Sequence, residues 1–144
     1  MDIPSGEITL LNRLENAILE RLNVLVDMGA RVEAQPANEE SGRPVPKGLL
    51  TVAYVRSRWS RPKDRRDPVQ DEELQFQISW RLRDLRSHQE TYKLTRATKW
   101  LLTGWVPDEC LDAGFYPLDA ELVEQDEQGY WRFYMMFGLL IRSV

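Results

Sequence analysis

The feature that most constrains this chain is an alternating stretch from Glu72 to Asp84. Every second residue in it is apolar: Leu74, Phe76, Ile78, Trp80 and Leu82. Successive side chains of a strand point to opposite faces, whereas residues on one helix face recur every three or four positions. The stretch therefore predicts a β-strand with an apolar face and a polar face. The polar face carries amides and arginines, which suits a surface that meets water or another polar protein.

The size and composition of the chain favour one domain. It has 144 residues, of which 42% are hydrophobic, so we expect a single domain, residues 1–144, around one core. No apolar run reaches the ~18 residues of a membrane span, and the N-terminus lacks the pattern of a signal peptide. Cys110 is the only cysteine, which excludes an internal disulfide and favours a reducing compartment. Proline-rich and polar stretches predict long loops near 36–47 and 60–71.

Two amphipathic helices are predicted, from Ser5 to Met28 and from Ser87 to Leu102. The first has an apolar stripe at helical spacing: Leu11, Leu14, Ile18, Leu22 and Leu25. One side of this helix is therefore expected to be buried. Gly29 and Gly104 follow the last turns and are expected to end the two helices.

Five strands are predicted from alternation and turn residues. They are Ala30–Gln35, Gly48–Trp59, Glu72–Asp84, Leu118–Gln125 and Tyr130–Ile141. Simple alternation in the second strand places Arg56 and Arg58 on the same side as Tyr54. The order α-β-β-β-α-β-β predicts an α+β fold, in which two helices pack on one face of a mostly antiparallel sheet of four to five strands.

Charge is distributed unevenly along the chain, although the net charge is only −4. The segment Arg56–Arg66 has six basic residues and one acid, whereas Asp108–Glu127 has eight acids and no Lys or Arg. Both segments could be solvated loops. Alternatively, the basic segment of one copy contacts the acidic segment of the next, and such a head-to-tail contact generates a ring or a filament.

No pattern in the sequence indicates a catalytic, cofactor or metal site. It has no Gly-rich phosphate loop, no His or Cys pair at metal spacing and no Gly-x-Ser-x-Gly motif. His88 and Cys110 are each alone, so a nucleophile and its base are not both evident. Asp119 and Glu121 alternate on one strand and could hold a metal, but without further ligands we expect solvated carboxylates. The sequence therefore argues against an enzyme.

Nucleic-acid binding is the alternative function. The basic segment Arg56–Arg66 could contact a phosphate backbone. Against this, the isoelectric point is about 5.1, and beyond Trp59 the segment has no aromatic residues on which bases would stack. A small nucleic-acid-binding accessory protein therefore stays open as the second reading.

Four stretches, in this order, carry a family resemblance. The first is Glu15-x-x-Ile18-x-x-x-Leu22, and the second is Leu50-Thr-Val-Ala-Tyr54-Val-x-Ser57, which precedes the loop 60–71 with its basic residues. The third is the alternating strand Leu74–Leu82, followed by a helix that contains Tyr92 and ends at Leu101-Leu102-Thr-Gly104-Trp105-x-Pro107. The fourth is Tyr130-Trp131-Arg132-Phe133. Across residues 8–141 the chain resembles the tail-terminator proteins of contractile-tailed, Mu-type phages and prophages.

The resemblance implies a virion structural protein without a cofactor. Such terminators form hexameric rings that cap the tail tube and sheath, end tail polymerisation and join the tail to head-side connector or neck proteins. It also implies a place at the head-proximal end of the tail, after assembly in the host cytoplasm. DNA would pass through the ring lumen without specific binding, and no membrane is involved.

The residues expected at contacts come from the two charged segments and from the polar face of the alternating strand. They are Arg56, Arg58, Arg61, Lys63, Arg65, Arg66, Gln75, Gln77, Arg81, Asp119, Glu121 and Glu124. The loop from Ser60 to Asp71 is expected to be disordered in the isolated protein and ordered in a complex.

Overall fold

The computed structural model describes residues 5–34, 48–62, 70–83, 89–108, 113–127 and 129–143. Two α-helices are present, α1 (Ser5–Leu22) and α2 (Gln89–Leu102), and a 3-10 helix at Asn23–Met28 continues α1. The strands are β1 (Ala30–Ala34), β2 (Gly48–Trp59), β3 (Gln70–Leu82), β4 (Tyr116–Gln125) and β5 (Trp131–Ser143). The predicted α+β class and element order are confirmed.

The five strands form one mixed sheet in the order β1-β2-β3-β5-β4. The pair β1–β2 is parallel, and the other neighbouring pairs are antiparallel. The alternating stretch is β3, which pairs with β2 over 72–82 and with β5 over 70–82. It is the central strand of the sheet, and β1 and β4 are its two edges.

The apolar face of β3 is the centre of the core, as predicted. Leu74, Phe76, Ile78, Trp80 and Leu82 are each at most 2% exposed. The predicted stripe of the first helix covers this face, because Leu14, Ile18 and Leu22 are buried in the same cluster. The second helix adds Leu94 and Leu102. Both helices therefore pack on one face of the sheet.

The first helix changes geometry before its predicted end. The α-helix ends at Leu22, and the chain continues as a 3-10 helix that buries Leu25. Tight 3-10 turns are common at helix C-termini, and Asn23, Val24 and Asp27 are weak helix formers. Gly29 then takes a φ of 91° in the left-handed region, which glycine adopts without a steric penalty.

A β-bulge in β2 overturns the predicted facing of its arginines. Tyr54 pairs with Phe76, but Arg56 pairs with Gln75, so Val55 is an extra residue in the ladder. One extra residue moves every following side chain to the opposite face. Arg56 and Arg58 therefore lie on the polar side of the sheet, and the prediction that they share a side with Tyr54 is wrong.

The segment after α2 closes the core at the aromatic centre of the sheet. Gly104 N donates to Phe115 O at 2.8 Å, and Phe115 N donates to Trp105 O at 3.0 Å. The rings of Trp105 and Phe115 stack with their centroids 5.5 Å apart. The Phe115 ring also packs edge-on against the Phe76 ring, with a centroid distance of 5.8 Å. This segment therefore adds a third covering element beside the two helices.

The helix layer covers the sheet unevenly. Helix α1 contacts β1, β2 and α2, whereas every residue of β4 after Tyr116 is exposed. The β4 edge therefore projects beyond the helix layer. Of the helices that the structure describes, none is long and apolar enough to cross a membrane.

The core assignment predicts a large difference between two alanine substitutions in neighbouring strands. Ile78→Ala removes a fully buried side chain and is expected to lower the free energy of unfolding by about 2–5 kcal/mol. Val55→Ala, at an exposed bulge position, is expected to change it by no more than about 0.5 kcal/mol. Urea unfolding followed by circular dichroism measures both, and similar losses would contradict the assignment.

Candidate interaction surface

The face of the sheet opposite α1 and α2 carries the polar positions of β3, and we call it the outer face. Residues that pair directly across strands point to the same face. Three rows cross β2, β3, β5 and β4 in register: Thr51–Ser79–Tyr134–Glu121, Ala53–Gln77–Met136–Asp119 and Arg56–Gln75–Gly138–Tyr116. Basic and acidic residues therefore lie at opposite sides of one surface.

Eight of the predicted contact residues share this outer face. They are Arg56, Arg58, Gln75, Gln77, Arg81, Asp119, Glu121 and Glu124. Arg61 is exposed just beyond β2. Lys63, Arg65 and Arg66 lie outside the described residues, as does the loop from 36 to 47.

A chain of hydrogen bonds crosses the outer face. The Tyr116 hydroxyl donates to Glu73 Oε2 at 2.6 Å, and Gln75 Nε2 donates to Glu73 Oε1 at 2.6 Å. Arg56 Nε donates to Gln75 Oε1, also at 2.6 Å. Gln75 is only 3% exposed, because its neighbours on the outer face cover it within the chain. These bonds link β2, β3 and β4.

Gly138 makes the Tyr116 contact possible. Tyr116 starts from β4, and β5 lies between it and Glu73 on β3. A Cβ on Gly138 would lie 2.6 Å from Tyr116 Cε2, closer than real atoms approach, so a side chain there would displace the ring. Sequence reasoning missed this group, although a glycine inside an apolar strand is a signal of close approach by another group.

The hydrogen bond between Tyr116 and Glu73 shifts the pKa of both side chains. The Tyr116 hydrogen bond, then Gln75 and the charges of Arg58 and Arg56, lower the pKa of Glu73 against the opposing effect of burial. Burial and the bond to Glu73 raise the pKa of Tyr116 above its usual 10. The lowered pKa stabilises the fold above pH 4.5, the ordinary value for Glu73, and that stabilisation is lost as the pH falls through the folded-state pKa.

Arg81 serves the fold at the other end of the outer face. Its Nε and Nη2 donate to Asp126 Oδ2 at 3.1 and 2.9 Å, and its guanidinium lies 4.7 Å from the Tyr130 ring centroid. Asp126 Oδ1 accepts from Tyr130 N at 3.0 Å. These contacts join β3 to the β4–β5 turn, so the Arg81 charge is already matched within the chain.

Hydrogen bonds between Ser60 and Asp71 join the two ends of the loop between β2 and β3. Ser60 N donates to Asp71 O at 2.9 Å, and Asp71 N donates to Ser60 Oγ at 3.0 Å. The pairing of β2 and β3 therefore continues past Trp59. The expected disorder of this loop falls on 63–69, which are outside the described residues.

The carboxylates of β4 are exposed on the outer face. Asp119 and Glu121 share this face with Glu124 and point away from the helix layer. Within the described ranges, no three His, Cys, Asp or Glu side chains are placed to share a metal ion. The exposed charge of β4 is therefore available to a partner of opposite sign.

The fold is shared with a virion component. A chain of the solved structure "Virion of native gene transfer agent (GTA) particle" matches with a TM-score of 0.58, over 90% of this chain and 95% of that chain. At 16% identity, this likeness establishes the common fold. No protein with a curated description matches the sequence.

The family model of the Gp37 protein matches residues 18–142. The chain therefore belongs to the Gp37 protein family. The match begins in the last turn of α1 and covers α2 and all five strands apart from the last residue of β5. The tail-terminator role expected from the sequence is a finer statement and stays a proposal.

Replacing Tyr116 by Phe is expected to raise the pKa of Glu73 towards its ordinary value. The substitution removes the largest cause of the lowered pKa, so less stability should be lost when the pH falls below 4.5. An NMR titration of the Glu73 carboxyl carbon and urea unfolding between pH 7 and acid measure the two effects. Tyr134→Phe, on the same face, is the matched control and should leave Glu73 unchanged, and an unshifted Glu73 titration in Tyr116→Phe would contradict the assignment.

Replacing Gly138 by Ala is expected to destabilise the fold by about 1–3 kcal/mol, because the new methyl group overlaps the Tyr116 ring. In a Tyr116→Ala background the overlap is gone, and the same substitution should cost at least about 1 kcal/mol less. A double-mutant cycle by chemical unfolding measures this coupling. Equal costs in both backgrounds would show that the ring does not need the glycine.

Proposed function

We propose that this chain is a structural protein of a phage-like virion and acts through contacts with other copies and with other virion proteins. The observation that carries the proposal is the fold match to a chain of a gene transfer agent virion over nearly the full length of both chains. Membership of the Gp37 family is consistent with the same reading.

Within such a particle we propose the role of a tail terminator. Residues 1–144 would form one domain, six copies of which make a ring on the end of the tail tube and sheath. The ring would end tail polymerisation and join the tail to head-side connector or neck proteins. The sequence resemblance supports this role, and so does a sheet with one edge exposed on both faces, which suits lateral contact in a ring.

The outer face supports a role without catalysis. Its polar side chains bind one another, as Arg56, Gln75, Glu73 and Tyr116 do. Such mutual satisfaction stiffens a surface. A stiff surface of amides and charged groups suits the docking of another protein. It also suits the passage of DNA, because it offers few apolar contacts to the bases.

The nucleic-acid alternative receives less support from the described residues. Arg56 donates to Gln75, and the charge of Arg58 acts on the opposite Glu73. Two of the six cations of the segment are thus directed at protein groups on the outer face. The alternative would then rest mainly on Arg61 and on Lys63, Arg65 and Arg66.

A tail-assembly experiment tests the proposed function. In a strain that makes the particle but lacks this protein, we expect tails of uncontrolled length that carry no heads, because nothing ends polymerisation or joins the connector. Electron microscopy of particles measures tail length and head attachment, and expression of the protein in trans should restore both. Normal particles in the deletion strain would contradict the terminator role.

A matched variant separates the two readings. Replacing Arg61, Lys63, Arg65 and Arg66 by Gln removes much of the basic loop. If the protein is a nucleic-acid-binding accessory protein, the purified native protein gives a salt-sensitive gel shift with DNA, and this variant does not. In that case the deletion strain makes tails of normal length. Under the terminator reading, tail length is abnormal without the protein, whether or not purified protein shifts DNA.

A further inference from the structure

A groove on the helix side of the molecule carries positive charge and exposed aromatic surface. It has a volume of about 1000 Å³ and runs along α2 and the turn that follows it. The charged and aromatic residues of its lining are Arg21, Lys93, Arg96, Lys99, Trp100 and Trp105. Among the residues that the structure describes, the lining contains no Asp or Glu. We call this the α2 groove.

The charge of the α2 groove is not neutralised within the described residues. Lys93, Arg96 and Lys99 are exposed, and they form no ion pair there. Trp100 is 79% exposed, which leaves a large apolar ring in water among three cations. Single exposed apolar residues are ordinary, but tryptophan and arginine are enriched at protein interfaces, and Trp100 and Arg96 lie together here.

One wall of the groove is fixed in place. Arg21 Nε donates to Leu101 O at 3.0 Å, and its guanidinium lies 5.6 Å from the Trp105 ring centroid. Trp105 in turn stacks on Phe115, which belongs to the core. The groove is therefore built onto the packed interior and does not need a partner to form.

The β4 edge has the opposite chemistry. It carries Asp119, Glu121 and Glu124 and no Lys or Arg. Its apolar residues are also exposed: Leu118 42%, Leu122 46% and Val123 46%. An acidic strand with apolar side chains, open on both faces, matches a basic groove that contains an exposed tryptophan.

The form of β4 indicates contact through side chains. Register shifts at Leu118 and Val123 interrupt its ladder with β5. Bulges and charges on an edge strand oppose the addition of another strand. A partner that receives β4 in a groove, around its side chains, avoids this obstacle.

We infer that β4 of one copy lies in the α2 groove of a neighbouring copy. Asp119, Glu121 and Glu124, which share one face of β4, face the cations Lys93, Arg96 and Lys99. The inference rests on the proposed ring and names the two surfaces that build it. Groove and strand are different patches, so the contact is head-to-tail, and such a contact gives a ring where the rotation between copies closes.

The basic segment Arg56–Arg66 is a weaker partner for the same acids. Arg56 and Arg58 lie on the outer face together with Asp119, Glu121 and Glu124. Two copies that paired these patches would meet face to face about a two-fold axis, which gives a closed dimer. The α2 groove lies on the other side of the sheet and permits propagation around a ring.

Charge reversal on each surface tests the pairing. Variant A carries Arg96→Glu and Lys99→Glu in the groove, and variant B carries Glu121→Lys and Glu124→Lys on β4. Each variant alone places like charges together, so its self-association, measured by sedimentation at low salt, should weaken by at least about tenfold. Arg13→Glu, at an exposed α1 position outside the groove lining, is the control and should associate like the unaltered protein.

An equimolar mixture of A and B should assemble again. The acidic groove of A then meets the basic β4 of B, and the basic groove of B meets the acidic β4 of A, so both kinds of contact are restored in an alternating ring. A single chain with all four substitutions should also assemble. Circular dichroism checks that every variant is folded, and association of the unaltered protein should weaken as salt rises.

Each outcome decides between distinct conclusions. Variants that assemble like the unaltered protein, or a mixture that stays dissociated, would overturn the pairing and leave the ring itself standing. An unaltered protein that is monomeric at high concentration and low salt would overturn pairing and ring together. Binding of a labelled DNA oligonucleotide that is lost in variant A, with assembly intact, would assign the groove to nucleic acid instead.

Discussion

The structure depends on the two faces of β3. One face buries five apolar side chains against α1, α2 and the segment around Phe115, and this burial supplies the main stabilisation of a small domain. The other face carries the amides and the carboxylate that organise the polar surface. Because β3 pairs with neighbours along nearly its whole length on both sides, the core and the outer face are held in register by the same backbone.

The outer face is stiffened by contacts that cross strands. Tyr116 reaches over Gly138 to Glu73, and Arg81 joins the β4–β5 turn through Asp126. These contacts satisfy polar groups that would otherwise lose water at a cost when a partner covers them. In the part of the chain that the structure describes, the carboxylates of β4 and the cations of α2 are exposed and form no ion pair, and we therefore assign contact between copies to those two elements.

Much of the fold is predictable from this sequence, and the limits are specific. The alternation of Leu74 to Leu82 and the helical stripe from Leu11 to Leu25 identify elements and buried sides, because both patterns depend on neighbours along the chain. Eight of the residues expected at contacts lie on one surface, but simple alternation did not predict this, because the bulge in β2 reverses the facing of Arg56 and Arg58. Two contacts of this surface were not predictable either, since Tyr116 bonds Glu73 and Asp126 bonds Arg81 across more than 40 positions.

The sequence by itself determined the elements and the side of the alternating strand that is buried. Only the tertiary structure decided the parallel pairing of β1 with β2, the bulge at Val55 that turns Arg56 and Arg58 to the outer face, and the exposure of β4 on both sides. The physical reason is range. Periodicity is set by local backbone geometry, whereas register, bulges and edges are set by which distant segments pack together, and a shift of one residue reverses the face of every side chain that follows.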